Sequence, residues 1–183
     1  MSTFRSGVIF MVVALIICGV AFSLVSCSYV PVKTAVVVPE SHSAEFQKAF
    51  FEAARVYGRA GCGDQELAEM TARESVSTGV PAALIAAQAS DESTCNPMAV
   101  SNRGAVGLTQ IVPKMWSKQF DFTKINLLNP EQNMGVSADI MSKLIKQYGV
   151  RNALIHYYGT GNDGIGLGGN GYADKILKLA GKL

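Results

Sequence analysis

Apolar and polar positions along the chain follow two different patterns. From Val8 to Val25 the sequence reads VIFMVVALIICGVAFSLV, 18 residues with one polar side chain, Ser23. A charge-free run of that length suits entry into a bilayer. From Ser43 onward, apolar residues recur instead at helical spacing. Phe46, Phe50, Ala53 and Tyr57 form one stripe behind Ser43, which can cap the helix, and Gly58 is expected to end it. Asp64 can cap a second helix running to Thr78 and closed by Gly79. Its apolar positions (Leu67, Met70, Val76) are sparse, so it is expected at the surface. Pro81 suits a first helical turn. The segment Pro81–Ser90, PAALIAAQAS, is apolar nearly all round, which predicts a central, buried helix.

Beyond it, Cys95–Gly107 is rich in turn residues and has room for a small hairpin. Pro113 starts a short helix carrying Met115 and Trp116. Asn129-Pro130-Glu131-Gln132 reads as a capping box, followed by a long amphipathic helix to Tyr148 closed by Gly149. Asn152–Tyr158 is a further short helix. Gly159–Gly171 then holds seven glycines in thirteen residues, and a last helix runs from Tyr172. Strands do not alternate with helices. The expected class is α+β, mainly α, with a minor β-hairpin element.

Composition sharpens this picture at the N-terminus. The 183 residues are 49% hydrophobic and 16% charged, with a net charge of +2. So weak a charge argues against nucleic acid as a partner, and so apolar a chain argues against disorder. There is no charge between Arg5 and Lys33, and Arg5 ahead of the apolar run favours a cytoplasmic N-terminus. Three fates of the run stay open. Leu24-Val25-Ser26-Cys27 resembles the lipobox of bacterial lipoproteins, which would make Cys27 the lipidation site. The run can equally be an uncleaved transmembrane helix, or an ordinary cleaved signal. Each puts the rest of the chain outside the cytoplasm, in the bacterial cell envelope. Residues 1–27 are therefore read as signal or anchor and 28–41, with Pro31 and Pro39, as an extended linker. Residues 42–183 form the folded domain.

In that oxidising compartment Cys62 and Cys95 can pair, closing a loop worth about 3 to 4 kcal/mol; two free core cysteines are the alternative. Cys18 sits within the apolar run. With only His42 and His156, and no ligand spacing to a cysteine, neither a metal nor any other cofactor is expected.

Glu92 stands out by position. It follows the buried helix directly and precedes the polar turn Ser93-Thr94-Cys95-Asn96-Pro97. A half-desolvated carboxyl there would have a raised pKa suited to general-acid work. A solvated glutamate at a helix end is the plainer alternative, and a helix C-terminus is a poor place for an anion. Asp91 adjoins it, but neighbours on a helix do not share a face, so Asp91 is expected to be solvated. Gly164–Gly169 formally matches the dinucleotide glycine pattern; with no strand before it, a flexible loop is the better reading. Trp116 can stack on a sugar or fill the core.

The stretch VPAALIAAQASDESTCNPMAVSNRGAVGLTQIVP, Val80–Pro113, resembles the lytic transglycosylase (SLT-type) family of lysozyme-like fold. The resemblance is carried by Glu92-Ser93, Asn96-Pro97, Ser101, Gly104-Ala105-Val106-Gly107-Leu108-Thr109-Gln110 and Pro113. Asn129–Asn133, Ala153–Gly159 and Tyr172–Lys175 extend it. Thr109 stands where the family usually has Met, and Tyr158 where it has Asn. The resemblance implies cleavage of peptidoglycan glycan strands between N-acetylmuramic acid and N-acetylglucosamine, leaving a 1,6-anhydro end. It also implies Glu92 as the single acid and base, with Ser93, Gly107, Thr109, Gln110, Tyr157 and Tyr158 around the substrate. A lysozyme-type hydrolase is one alternative; Asp121 and Asp163 are its available second carboxylates. A non-catalytic glycan-binding part of a secretion, conjugation or phage apparatus is the other.

Overall fold

A computed structural model describes residues 43–159 and 167–182. The apolar run, Cys18, Cys27, the 28–41 linker, His42, Asp163 and Gly164–Gly166 lie outside the described residues. Ser43 does cap α1 (Ala44–Ala60), its side chain accepting from the Phe46 N–H. The helix runs through Gly58 and stops at Gly61, which takes the left-handed conformation (φ 70°) that closes a helix without a Cβ penalty. Gly58 can be helical because glycine weakens a helix without forbidding it. Asp64 caps α2 (Gln65–Thr78), its carboxylate accepting from the Leu67 N–H, and Gly79 ends it.

The sparse apolar count of α2 understates its burial. Ala68, Thr71 and Ala72 join Leu67 and Met70 on its inner face, packed against α1 and the third helix. Small residues allow that close approach and contribute little to an apolar count. The third helix, α3 (Ala82–Ser93), is buried from Ala82 to Ser90 and is held between α1, α2 and α6. It is the central element, as its sequence requires.

A Cys62–Cys95 disulfide, with Cα atoms 5.7 Å apart, ties the end of α1 to the end of α3. After it the expected hairpin shrinks to two isolated antiparallel bridges, Val100 with Val106 and Val106 with Ile111. The segment is otherwise a set of turns, so among the described residues the fold is mainly helical with no extended strand. Next come α4 (Pro113–Trp116) and α5 (Pro130–Tyr158). The Asn129 side chain caps α5 by accepting from the Gln132 N–H. The reciprocal bond goes elsewhere: Gln132 Oε1 accepts from the Asn126 N–H at 2.7 Å.

At Gly149 (φ 76°, ψ 165°) the backbone leaves helical geometry, and residues 150–158 form a second arm folded back on the first. His156 stacks on Tyr148, and Tyr157 reaches Ser137, 20 residues earlier. The last helix, α6 (Leu167–Leu179), begins five residues before the expected Tyr172. Its glycines serve packing: a Cβ on Gly169 would press on Ile155, and one on Gly168 on the Tyr158 ring. The low helix propensity of glycine points to a loop, while the tight seat of α6 against the second arm of α5 favours glycine in a helix. Among the described residues no helix is long and apolar enough to cross a membrane.

Candidate active site

Glu92 lies in the last turn of α3, not after it, and is half-buried. The Tyr172 hydroxyl of α6 lies beside its carboxylate and favours the charged form. Burial pushes the Glu92 carboxyl from an ordinary 4.5 up to about 7. The Tyr172 hydroxyl opposes that rise, Asp91 adds to it and Lys175 opposes it. Asp91 is not solvated as expected: it is ion-paired with Lys175, and its side chain is only 12% exposed. The α6 lysine, four residues from the end of its helix, is what the sequence pattern of α3 alone does not reveal. So among the described residues the charged groups that act on Glu92 are one carboxylate and the ammonium that neutralises it.

Tyr157 and Ser93, next to Glu92, both bond to backbone carbonyls of the Gly107–Gln110 turn. Tyr157 is buried, and its hydroxyl donates to the Thr109 carbonyl at 2.9 Å. That uses its one proton, so at the 3.1 Å contact Ser137 is the donor. Burial, and next the Glu92 charge, push the Tyr157 hydroxyl well up and keep it neutral. Ser93 Oγ donates to the Leu108 carbonyl at 2.8 Å and accepts from the Asn96 N–H at 3.1 Å. It therefore fixes the Gly107–Gln110 turn to the helix that carries Glu92. Beyond it, Thr94 (φ 54°) and Cys95 (φ 60°) are both left-handed, and the disulfide begins at the second of them.

The turn itself is set by Asn133, fully buried on α5. Its Oδ1 accepts from the Thr109 N–H at 3.0 Å and the Thr109 hydroxyl at 2.7 Å. Its Nδ2 donates to the carbonyls of Val106 (2.9 Å) and Leu127 (3.0 Å). Every donor and acceptor site of the amide group that faces the turn is thus engaged. Gly107 (φ 81°) passes so close that any Cβ would overlap Asn133 and the Leu127 carbonyl. Its smallness serves this internal approach, and Thr109 has no exposed surface.

Gln110 (φ 51°) spends its amide protons on the Ala99 carbonyl at 3.2 Å and the Gly107 carbonyl at 2.9 Å. Tyr158 is 54% exposed and lies with its ring 5.0 Å from that of Tyr172. Trp116 is half-buried, its ring 6.4 Å from that of Tyr157. The structure thus brings Glu92, Ser93, Tyr157 and Tyr158 around one end of α3. It puts Gly107 and Thr109 beneath them as framework.

Two residues near Glu92 are given no place in the site by the sequence reading, although Tyr172 lies in a stretch that extends the resemblance. Tyr172 belongs to a helix 80 residues away. Gln88 sits one turn before Glu92, and the one available hint is an amide in an otherwise apolar run. Asp121 holds its own turn, accepting from the Thr123 N–H and hydroxyl and pairing with Lys124. Its carboxyl is held below the ordinary range by those bonds. Among the described residues no cluster of three histidine, cysteine or acidic side chains could hold a metal.

Among curated proteins none matches the chain. Residues 69–167, just over half of the chain, match the family described as Transglycosylase SLT domain. That span includes Glu92, the turn at Gly107 and the arm bearing Tyr157, and it ends at the start of α6. The chain belongs to the transglycosylase SLT domain family, of the lytic-transglycosylase type that acts on peptidoglycan.

Proposed function

We propose that the protein cleaves peptidoglycan glycan strands by a non-hydrolytic route that leaves a 1,6-anhydro-N-acetylmuramic acid end. Glu92 is the only acid and base. The observation that carries this reading is the Glu92 carboxyl, pushed up to about 7, beside which the described residues place a single carboxylate that Lys175 already neutralises. An inverting or retaining hydrolase ordinarily divides the work between two carboxyl groups. Here one group must do both tasks, which requires a midpoint near the working pH.

Protonated Glu92 gives its proton to the glycosidic oxygen, and the bond to the anomeric carbon breaks. The acetamido oxygen of the same muramic acid residue attacks that carbon and holds the positive charge in an oxazolinium ring. Glu92, now a carboxylate stabilised by the Tyr172 hydroxyl, takes the proton of the C6 hydroxyl. The C6 oxygen closes on the anomeric carbon, opens the oxazolinium ring and restores the acetamido group. Protons balance, and no water is consumed.

The neutral Tyr157 hydroxyl and the exposed Tyr158 face are proposed as substrate contacts, together with Ser93 and Gln110 at the turn. Gly107 and Thr109 act from below by holding the turn. Residues 42–183 are proposed as the catalytic domain. Residues 1–27 are proposed as its address to the bacterial envelope, by lipidation of Cys27 or as a spanning helix, supported by their charge-free run.

Purified peptidoglycan incubated with wild type and with Glu92→Gln tests the reading. Turnover by wild type and its loss by at least about a thousandfold in the variant are expected. Turnover retained by the variant refutes it. No turnover by wild type favours a glycan-binding component of a larger apparatus. Palmitate labelling lost in Cys27→Ala supports the lipid anchor, whereas unlabelled wild type rejects it.

A further inference from the structure

We propose that Gln88 is a positioning residue for the acid: its side-chain amide holds the Tyr172 hydroxyl so that the hydroxyl proton points at Glu92. This rests on Glu92 being the acid.

Gln88 is 1% exposed in the middle of the central helix. Its Nε2 lies 3.4 Å from the Tyr172 oxygen. Its Oε1 is buried and, among the described side chains, is the one buried polar atom without a hydrogen-bond partner. A buried acceptor without a donor weakens a fold. Leucine or methionine would fill the same space at equal helix propensity and remove that weakness. The position therefore carries an amide at the expense of stability, and the group that the amide touches is the Tyr172 hydroxyl beside Glu92.

The proton count gives the amide its role. A tyrosine hydroxyl has one proton and lone pairs to accept with. Nε2 can only donate, so it occupies a lone pair and leaves the proton for Glu92. With the amide reversed, Oε1 would compete for that proton. Gln88 and Glu92 are four residues apart and so lie along one side of α3, where a single hydroxyl from α6 can meet both. A hydrogen bond given to the carboxylate stabilises its charged form. That is the form Glu92 must hold between its two proton transfers. Among the described residues, the other groups facing Glu92 are Asp91 on its own helix, Lys175 on α6 and the neutral Tyr157 on α5. None of them contacts the Gln88 amide in the hydrogen bonds of the site.

Full-length protein in detergent, labelled with ¹³C at glutamate side-chain carboxyls, tests the proposal by NMR titration. Glu92→Gln assigns the signal. In Gln88→Met, and independently in Gln88→Leu, the Glu92 midpoint should rise by about half a pH unit or more. It should also rise in Tyr172→Phe, and adding Gln88→Met to that variant should move it no further. Thermal melting should show Gln88→Met at least as stable as wild type.

An unchanged or lowered midpoint in both Gln88 variants overturns the proposal. So does a shift that persists in full without the Tyr172 hydroxyl, or failure of both Gln88 variants to fold. The midpoint is read without turnover. An inactive wild type would therefore count against the proposed function and leave this inference to its own result.

Discussion

Replacing Glu92 by Gln should stabilise the protein, and only at higher pH. In the folded state the carboxyl titrates near 7, against 4.5 ordinarily. Native Glu92 therefore holds its proton where the unfolded chain has lost it. The resulting stability is complete below pH 4.5 and is lost as pH rises toward 7. At about 1.4 kcal/mol per pH unit, the loss approaches about 3 kcal/mol. Partial exposure and water reduce it toward about 2 kcal/mol. Glutamine has nearly the same shape, can still accept from Tyr172 and carries no charge to desolvate.

Urea unfolding of wild type and Glu92→Gln, at intervals from pH 4 to 9, isolates this one group, because all others titrate in both proteins. The two stabilities should converge near pH 4. Above pH 7 the variant should be more stable by about 2 to 3 kcal/mol. A difference independent of pH, or a variant less stable than wild type above pH 7, would refute the placement of Glu92 in a desolvated site.

The other predictions concern the frame around the acid. Cys62→Ala with Cys95→Ala should lower stability by about 3 to 4 kcal/mol from the loss of the 33-residue loop closure, read as a fall in melting temperature. Activity should fall at temperatures where the variant is still folded, because the left-handed pair Thr94 and Cys95 follows Glu92 directly. Gly107→Ala should cost at least about 3 kcal/mol, since it adds a Cβ at positive φ against Asn133 and the Leu127 carbonyl; chemical denaturation measures it. Thr109→Val should cost about 1 kcal/mol by the same measurement and leave KM unchanged, because its hydroxyl bonds Asn133 and not the solvent-facing side.

The central helix and the half-buried carboxyl of Glu92 at its end are legible in the sequence because both depend on local pattern. Nine successive buried positions end in a carboxylate and a turn, and the motif after it is written in glycines. The caps at Ser43, Asp64 and Asn129 are equally local. What escapes is what depends on a distant partner. Asp91 looks solvated until Lys175 of α6 is placed against it. Nothing near Thr109 and Gly107 in the sequence announces Asn133, which comes from a helix 24 residues on, bonds the one and closes on the other. The start of α6 is hidden for a related reason: glycine disfavours a helix in isolation, but Gly168 and Gly169 are what let this one sit against Tyr158 and Ile155. Gln88 is visible only as an anomaly, an amide in an apolar run.

The end group left on the cut strand tests the account most directly. Peptidoglycan digested by the wild-type protein and analysed by mass spectrometry should give fragments ending in 1,6-anhydro-N-acetylmuramic acid, each one water lighter than its hydrolytic counterpart. Fragments carrying that water and a free reducing end would contradict a mechanism in which Glu92 alone serves as acid and base.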